Sequence, residues 1–85
     1  MIHYDKLLKI EVDLVIEDID DAYDMMVKLN GMDIKYKLLK SFGPAAGWPV
    51  WELTGRPTHL RKYLESSGFD KGTTEKLLEE GVVIE

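Results

Sequence analysis

The chain of 85 residues contains no cysteine, only three prolines and only two histidines. The lack of cysteine excludes a disulfide framework, a thiolate nucleophile and any zinc site that requires cysteine. Long apolar runs are also missing, and none approaches the about 20 residues that a helix needs to cross a bilayer. The first residues show no basic region followed by an apolar core, which argues against a signal peptide. We therefore expect a cytoplasmic protein.

Hydrophobic residues make up 45% of the chain and charged residues 32%, a composition typical of globular proteins. A chain of this length is too short to build two cores, so we expect a single domain spanning residues 1–85. The formal net charge is −5. Because nucleic-acid binding and anionic membrane surfaces both favour positive charge, we expect neither as a partner.

Apolar and charged residues alternate from Leu8 to Ile16, which predicts a half-buried strand over about residues 6–17. After this segment the apolar residues stop alternating and follow the spacing of a helix. Asp18 suits the N-cap of a helix and Gly31 its left-handed end, so we predict a first helix at 18–30. Ile19, Tyr23, Met26 and Leu29 or Asn30 follow a helical stripe, which is typical of a helix face that packs on a core.

A second alternating segment predicts a strand from Met32 to about Phe42, whose lysines suit the edge of a sheet. A turn-rich connector at 43–49 precedes a short strand at 50–54. We place the second helix from Pro57 or Thr58 to about Ser66. A short helix at 74–80, capped by Thr73, precedes a final strand at 82–84.

The resulting order, β-α-β-β-α-(α)-β, is the split β-α-β arrangement. It resembles the ferredoxin-like superfold and, more loosely, the ACT-like modules built on it. The resemblance spans nearly the whole chain, but only as an order of elements. It implies an α+β sandwich with a four-stranded antiparallel sheet in the order 4-1-3-2 and helices on one face. An ACT-like module would bind a small ligand at a subunit boundary, although fold-level similarity does not transfer function.

An acidic run surrounds the predicted start of the first helix and is our candidate partner-binding patch. It consists of Glu17, Asp18, Asp20, Asp21 and Asp24. The run could meet a basic protein partner or hold Mg²⁺ or Ca²⁺, although it lacks the glycine and distal glutamate of an EF-hand loop. It could equally serve to cap the helix, complement its dipole and face water. We predict no metal site.

A basic cluster near the start of the second helix is a candidate anion site, formed by Arg56, His59 and Arg61. Backbone N–H groups at a helix N-terminus and an arginine can hold a phosphate or carboxylate. Alternatively, these side chains face water or pair with the acidic run. Gly55 supplies a single glycine, so the segment is neither a P-loop nor a dinucleotide-binding fingerprint.

The uncovered face of the sheet is predicted to carry both signs of charge with apolar islands. Val15, Leu39, Trp48 and Val50 are therefore candidate interface residues. Tryptophan often anchors interfaces, and mixed charge permits a self-complementary pairing. Because a small core gains stability from a partner subunit, we expect a homodimer.

No residues form an evident catalytic set, because neither histidine has a nucleophile close to it in sequence. We accordingly expect no catalytic residues and no cofactor. The sequence favours a non-enzymatic protein-interaction or regulatory module, such as a small viral or bacterial accessory protein that binds a partner. The alternatives are an ACT-like sensor that binds an anionic metabolite at a subunit interface, and a small enzyme.

Overall fold

The structure is a computed structural model that describes residues 6–40 and 48–84. Most of the predicted connector at 43–49, together with the first five residues, lies outside the described residues. The elements are β1 (Leu7–Asp13), α1 (Ile19–Gly31), β2 (Lys35–Lys40), β3 (Val50–Gly55), α2 (Pro57–Ser66), α3 (Lys71–Glu80) and β4 (Val82–Ile84). The predicted order of elements is confirmed.

The four strands form a sheet in the order β2-β3-β1-β4, with every neighbouring pair antiparallel. Read from the other end, this is the predicted order 4-1-3-2, so the α+β, ferredoxin-like fold class is confirmed. β1 pairs with β3 from Leu8 to Asp13, with Ile10 opposite Leu53, whereas β4 covers only Leu7 to Lys9. β1 and β3 therefore form the centre of the sheet.

The alternation in β1 has the predicted consequence. Leu8, Ile10 and Val12 are buried, and the residues between them are exposed or half-buried. Their partners in β3 continue the same covered face, since Ile10 pairs with Leu53 and Val12 with Trp51. Among residues 6–40 and 48–84, helices cover this face and leave the other face open. The buried core combines sheet and helix residues: Leu8, Ile10, Val12, Leu14, Met25, Leu29, Ile34, Leu53, Leu60, Tyr63, Leu64 and Leu78.

The two C-terminal helices differ in how well the sequence predicted them. α2 spans Pro57–Ser66, with the proline in its first turn, as expected. α3 begins at Lys71, earlier than the predicted residue 74, because Asp70 and not Thr73 is its N-cap. The Asp70 carboxylate accepts a hydrogen bond from the backbone N of Thr73 at 2.7 Å. An aspartate three residues upstream thus provides a stronger cap than the threonine itself.

The segment between α1 and β2 also departs from the prediction. The left-handed residue is Asp33, with φ of 56°, and not Gly31, which remains helical. Aspartate tolerates this conformation because its short polar side chain can bond locally. The backbone N of Ile34 donates to the carbonyl of Leu29 at 2.9 Å and brings the buried Ile34 under the helix. β2 consequently begins at Lys35 and not at Met32.

Within residues 6–40 and 48–84, no helix combines the length and the apolar character needed to cross a membrane.

Candidate functional site

The start of α1 is held by two reciprocal hydrogen bonds between carboxylates and backbone. Asp18 accepts from the backbone N of Asp21 at 2.9 Å, and Asp21 accepts from the backbone N of Glu17 at 3.0 Å. This resembles a capping box, except that the Asp21 side chain accepts from Glu17, one residue before the N-cap Asp18, and not from the N-cap itself. Two of the five acidic candidates therefore have a structural role at the helix end.

The other acidic candidates, Glu17, Asp20 and Asp24, are exposed. Asp20 lies in the first turn, where its charge complements the helix dipole. The described part of the chain contains no group of three His, Cys, Asp or Glu side chains that could hold a metal ion. The run is thus split into capping carboxylates and outward-facing carboxylates.

α1 also exposes a line of large apolar side chains, which we call the α1 stripe. It consists of Ile19, Tyr23 and Val27, whose side chains are 83%, 67% and 53% exposed. Residues four apart on an α-helix are offset by about 40°, so these three form one continuous band. Of the predicted helical stripe, Leu29 is buried and Met26 packs against the core, but Ile19 and Tyr23 are exposed. Met25 is the second buried residue of the helix.

The flank of α1 next to the acidic side of the stripe faces α2. Asp21, Asp24 and Lys28 line a groove between these helices, together with Tyr63 of α2, and its cavity volume is about 320 Å³. Going round the helix at about 100° per residue, Met26 borders the stripe on one side, while Asp20 and then Asp24 border it on the other side, towards the groove. The stripe thus has an apolar margin on one side and an acidic margin on the other.

The α1–α2 groove has a buried phenol at its base. Burial raises the pKa of Tyr63 above its ordinary value, and the hydrogen bond with Ser67 opposes that shift. The Ser66 hydroxyl donates to the Tyr63 carbonyl at 2.8 Å. These contacts tie the end of α2 together. Val15, one of the candidate interface residues, is exposed and also lines this groove.

The remaining interface candidates lie at one end of the sheet. Trp48 is exposed, while Leu39 and Val50 are half-buried. Val50 is the partner of Lys40 in a ladder that is irregular between Leu38 and Lys40, so Leu39 is the extra residue of a bulge. Leu39 lines a second groove, of about 410 Å³, which crosses the open face past Glu11 to the end of α3.

The basic candidates are not gathered into one cluster. Arg56 is the exposed N-cap of α2 and makes no side-chain capping bond. Arg61 forms an ion pair with Glu75 of α3. His59 is half-buried, and its Nδ1 atom is buried without a hydrogen-bond partner among the described residues. Arg61 therefore helps to join α2 and α3, a contact that depends on how the two helices pack and that spacing along the sequence does not show.

Sequence reasoning missed the α1 stripe as an exposed feature. The available signal was that apolar residues occupy more of α1 than one face can bury: Ile19, Ala22, Tyr23, Met25, Met26, Val27 and Leu29. The fold and this surface together define a small ferredoxin-like α+β domain with an exposed apolar helix face. No family model, no curated protein and no solved structure matches the chain.

Proposed function

We propose that this domain is a non-enzymatic protein-interaction module that binds a protein partner through the outward face of α1. The observation that carries the proposal is the α1 stripe. Single exposed apolar residues are common on protein surfaces, but contiguous ones mark interaction sites. Here Ile19, Tyr23 and Val27 are all more than half exposed on one helix face. Anchors at every fourth position suit a helix that lies in the groove of a partner.

The acidic margin of the stripe indicates the chemistry of that partner. Asp20 and Asp24 lie beside the apolar anchors, and both carboxylates are exposed. A complementary surface has an apolar groove with lysine or arginine along one rim. In this proposal the domain is a cytoplasmic accessory protein that blocks a groove on its partner. Its acidic surface would occupy a site on the partner that otherwise binds phosphate.

Charge also favours a different protein over a second copy at this surface. Residues 17–31, which include α1, contain Glu17 and four aspartates but only one basic residue, Lys28. Two α1 helices packed on each other would bring these acidic margins together, and like charges at an interface cost binding energy. The partner at the stripe is therefore heterologous and basic.

The test is capture of partners from lysate of the source cells with matched surface variants. Val27→Ser and Val82→Ser make the same chemical change at sites that are 53% and 59% exposed, on α1 and β4 respectively. We expect a true partner to be lost with Val27→Ser, Tyr23→Ser and the double variant Asp20→Lys/Asp24→Lys, and to be retained with Val82→Ser. An anchor such as Tyr23 should contribute about tenfold or more to affinity.

The same variants define the contrary result. Partners that bind all the stripe variants as well as the wild type would refute the proposal, and so would partners that Val82→Ser loses equally. Each variant is first checked by circular dichroism and thermal unfolding. Exposed substitutions of this kind change the free energy of unfolding by only about 0.5 kcal/mol, so a loss of capture reports on the surface and not on folding.

A further inference from the structure

The outer edge of β2 has no strand beside it among the described residues, because β2 is the terminal strand in the sheet order β2-β3-β1-β4. An unpaired edge presents backbone N–H and C=O groups that can pair with another chain. Which residues present them follows from the alternation of hydrogen bonds in antiparallel pairs.

The alternation can be traced across the sheet from one bond. The backbone N of Leu14 donates to the carbonyl of Pro49 at 3.1 Å. Counting from Pro49, every second residue of β3, including Trp51, therefore forms its backbone hydrogen bonds with β1. The residues between them form their backbone hydrogen bonds with β2, where their partners are Lys35 and Lys37. The backbone groups of the intervening residues of β2, at positions 36 and 38, consequently point outward.

The two faces of this edge differ in character. Lys35 and Lys37 are exposed on the open face of the sheet. Tyr36 and Leu38 lie on the helix-covered face, where Tyr36 makes an edge-on contact with Trp51 at a ring-centroid distance of 6.1 Å. Leu38 is nevertheless 44% exposed, so the helical layer does not fully cover the edge. The edge is basic on one face and apolar on the other.

We propose that the β2 edge binds an extended segment of a partner protein in which acidic and apolar residues alternate. Such a segment adds a fifth strand to the sheet, with main-chain hydrogen bonds at Tyr36 and Leu38. Its acidic side chains lie across from Lys35 and Lys37, and its apolar side chains cover Leu38. Opposite charges across neighbouring strands stabilise pairing, and side chains alternate between the faces, so one register satisfies both.

The same charges exclude a second copy of the chain as the occupant. Pairing two β2 edges about a two-fold axis would place the lysines of one copy beside those of the other on the open face. Like charges directly opposite are destabilising, and lysines are a common protection of sheet edges against self-association. The bulge between Leu38 and Lys40 limits regular pairing to the first four residues of β2.

The test uses two short synthetic peptides, one of alternating glutamate and valine and the other of alternating lysine and valine. Binding is followed by NMR titration of the full chain. We expect the glutamate peptide to shift the amide signals of Tyr36 and Leu38 and to slow their hydrogen exchange. The lysine peptide should bind about tenfold more weakly, since it places like charges across from Lys35 and Lys37.

A charge-reversal variant makes the test specific to this edge. In Lys35→Glu/Lys37→Glu the preference should invert, with the lysine peptide binding more tightly. Lys62→Glu/Lys71→Glu gives the same change in net charge at two exposed helical positions and should leave the preference unchanged. Equal binding of both peptides to the wild type, or signal changes confined to other elements, would overturn the proposal. Tyr23→Ser should not alter peptide binding, which separates this proposal from the one concerning the α1 stripe.

Discussion

Gly81 lies so close to Ile10 that a Cβ atom on the glycine would be 2.8 Å from Ile10 Cγ2, and 2.9 Å from Leu8 Cγ. The backbone of Gly81 has ordinary angles, with φ of −68° and ψ of 159°. Glycine is therefore required at this position by the space between α3 and β1 and not by backbone conformation. This close approach allows β4 to begin directly after α3.

Gly81→Ala should destabilise the fold. The added methyl group must displace two buried side chains, and overpacking of this kind costs about 1–3 kcal/mol. Gly72→Ala is the matched control, since the nearest atom to its Cβ would be Asp70 Oδ1 at 3.6 Å. At position 72 alanine should stabilise the folded state by about 0.4–1 kcal/mol, because it reduces the conformational entropy of the unfolded chain. Urea unfolding measures both variants, and the same sign of change for the two would contradict the explanation.

Asp18→Ala should lower the free energy of unfolding by about 1 kcal/mol, because it removes the side chain that accepts the hydrogen bond from the backbone N of Asp21. Asp20→Ala serves as the control, being an exposed acidic residue of the same turn that does not cap the helix. Thermal unfolding followed by far-ultraviolet circular dichroism should separate the two. Equal effects would mean that the helix dipole, and not the cap, accounts for the importance of Asp18.

Acid should weaken the start of α3. The backbone N–H of Thr73, and then its side chain, hydrogen-bond to Asp70 and lower the pKa of that carboxyl below its ordinary value of 3.8. Its contribution to stability is thus present above the ordinary pKa and is lost as the pH falls through the lower folded value. Asp70→Asn, which still caps but does not titrate in this range, should show a smaller loss of stability in urea unfolding between about pH 5 and about pH 2.

The expected homodimer gives a separate prediction for the open face of the sheet. That face carries Lys37 opposite Glu52, and the exposed Leu7 lies at its other end. We expect light scattering at micromolar concentration to give twice the chain mass of 9.8 kDa. Leu7→Ser should shift the protein towards monomer. A wild-type protein that remains monomeric at these concentrations would exclude this dimer.

The sheet was the most predictable part of the fold. A strand that separates an apolar layer from water must alternate with a period of two, so β1 reveals its buried face in the sequence. β4 and α2 were also bounded correctly, since glycine and proline mark their ends. The strand order followed from chain connectivity, because each parallel-related pair needs a crossover helix.

The orientation of α1 could not be read in the same way. Apolar residues surround much of the helix, so its periodicity is consistent with several buried faces, and the contacts with the sheet select Met25 and Leu29 over Ile19 and Tyr23. The dispersal of the basic candidates has a similar cause. Arg61 pairs with Glu75, which belongs to another helix, and a partner of this kind is set only by tertiary packing.

The pairing of β1 with β4 has a consequence for biosynthesis. Leu7 lies opposite Ile84, which are nearly the two extremes of the described chain. A nascent polypeptide can pair β1 with β3 and pack α1 on them while translation continues, but the edge of β1 that pairs with β4 has no partner strand until Ile84 has emerged from the ribosome. During that interval Leu8 and Ile10 lack their last neighbours, so a slow pause before β4 emerges would favour contact with chaperones.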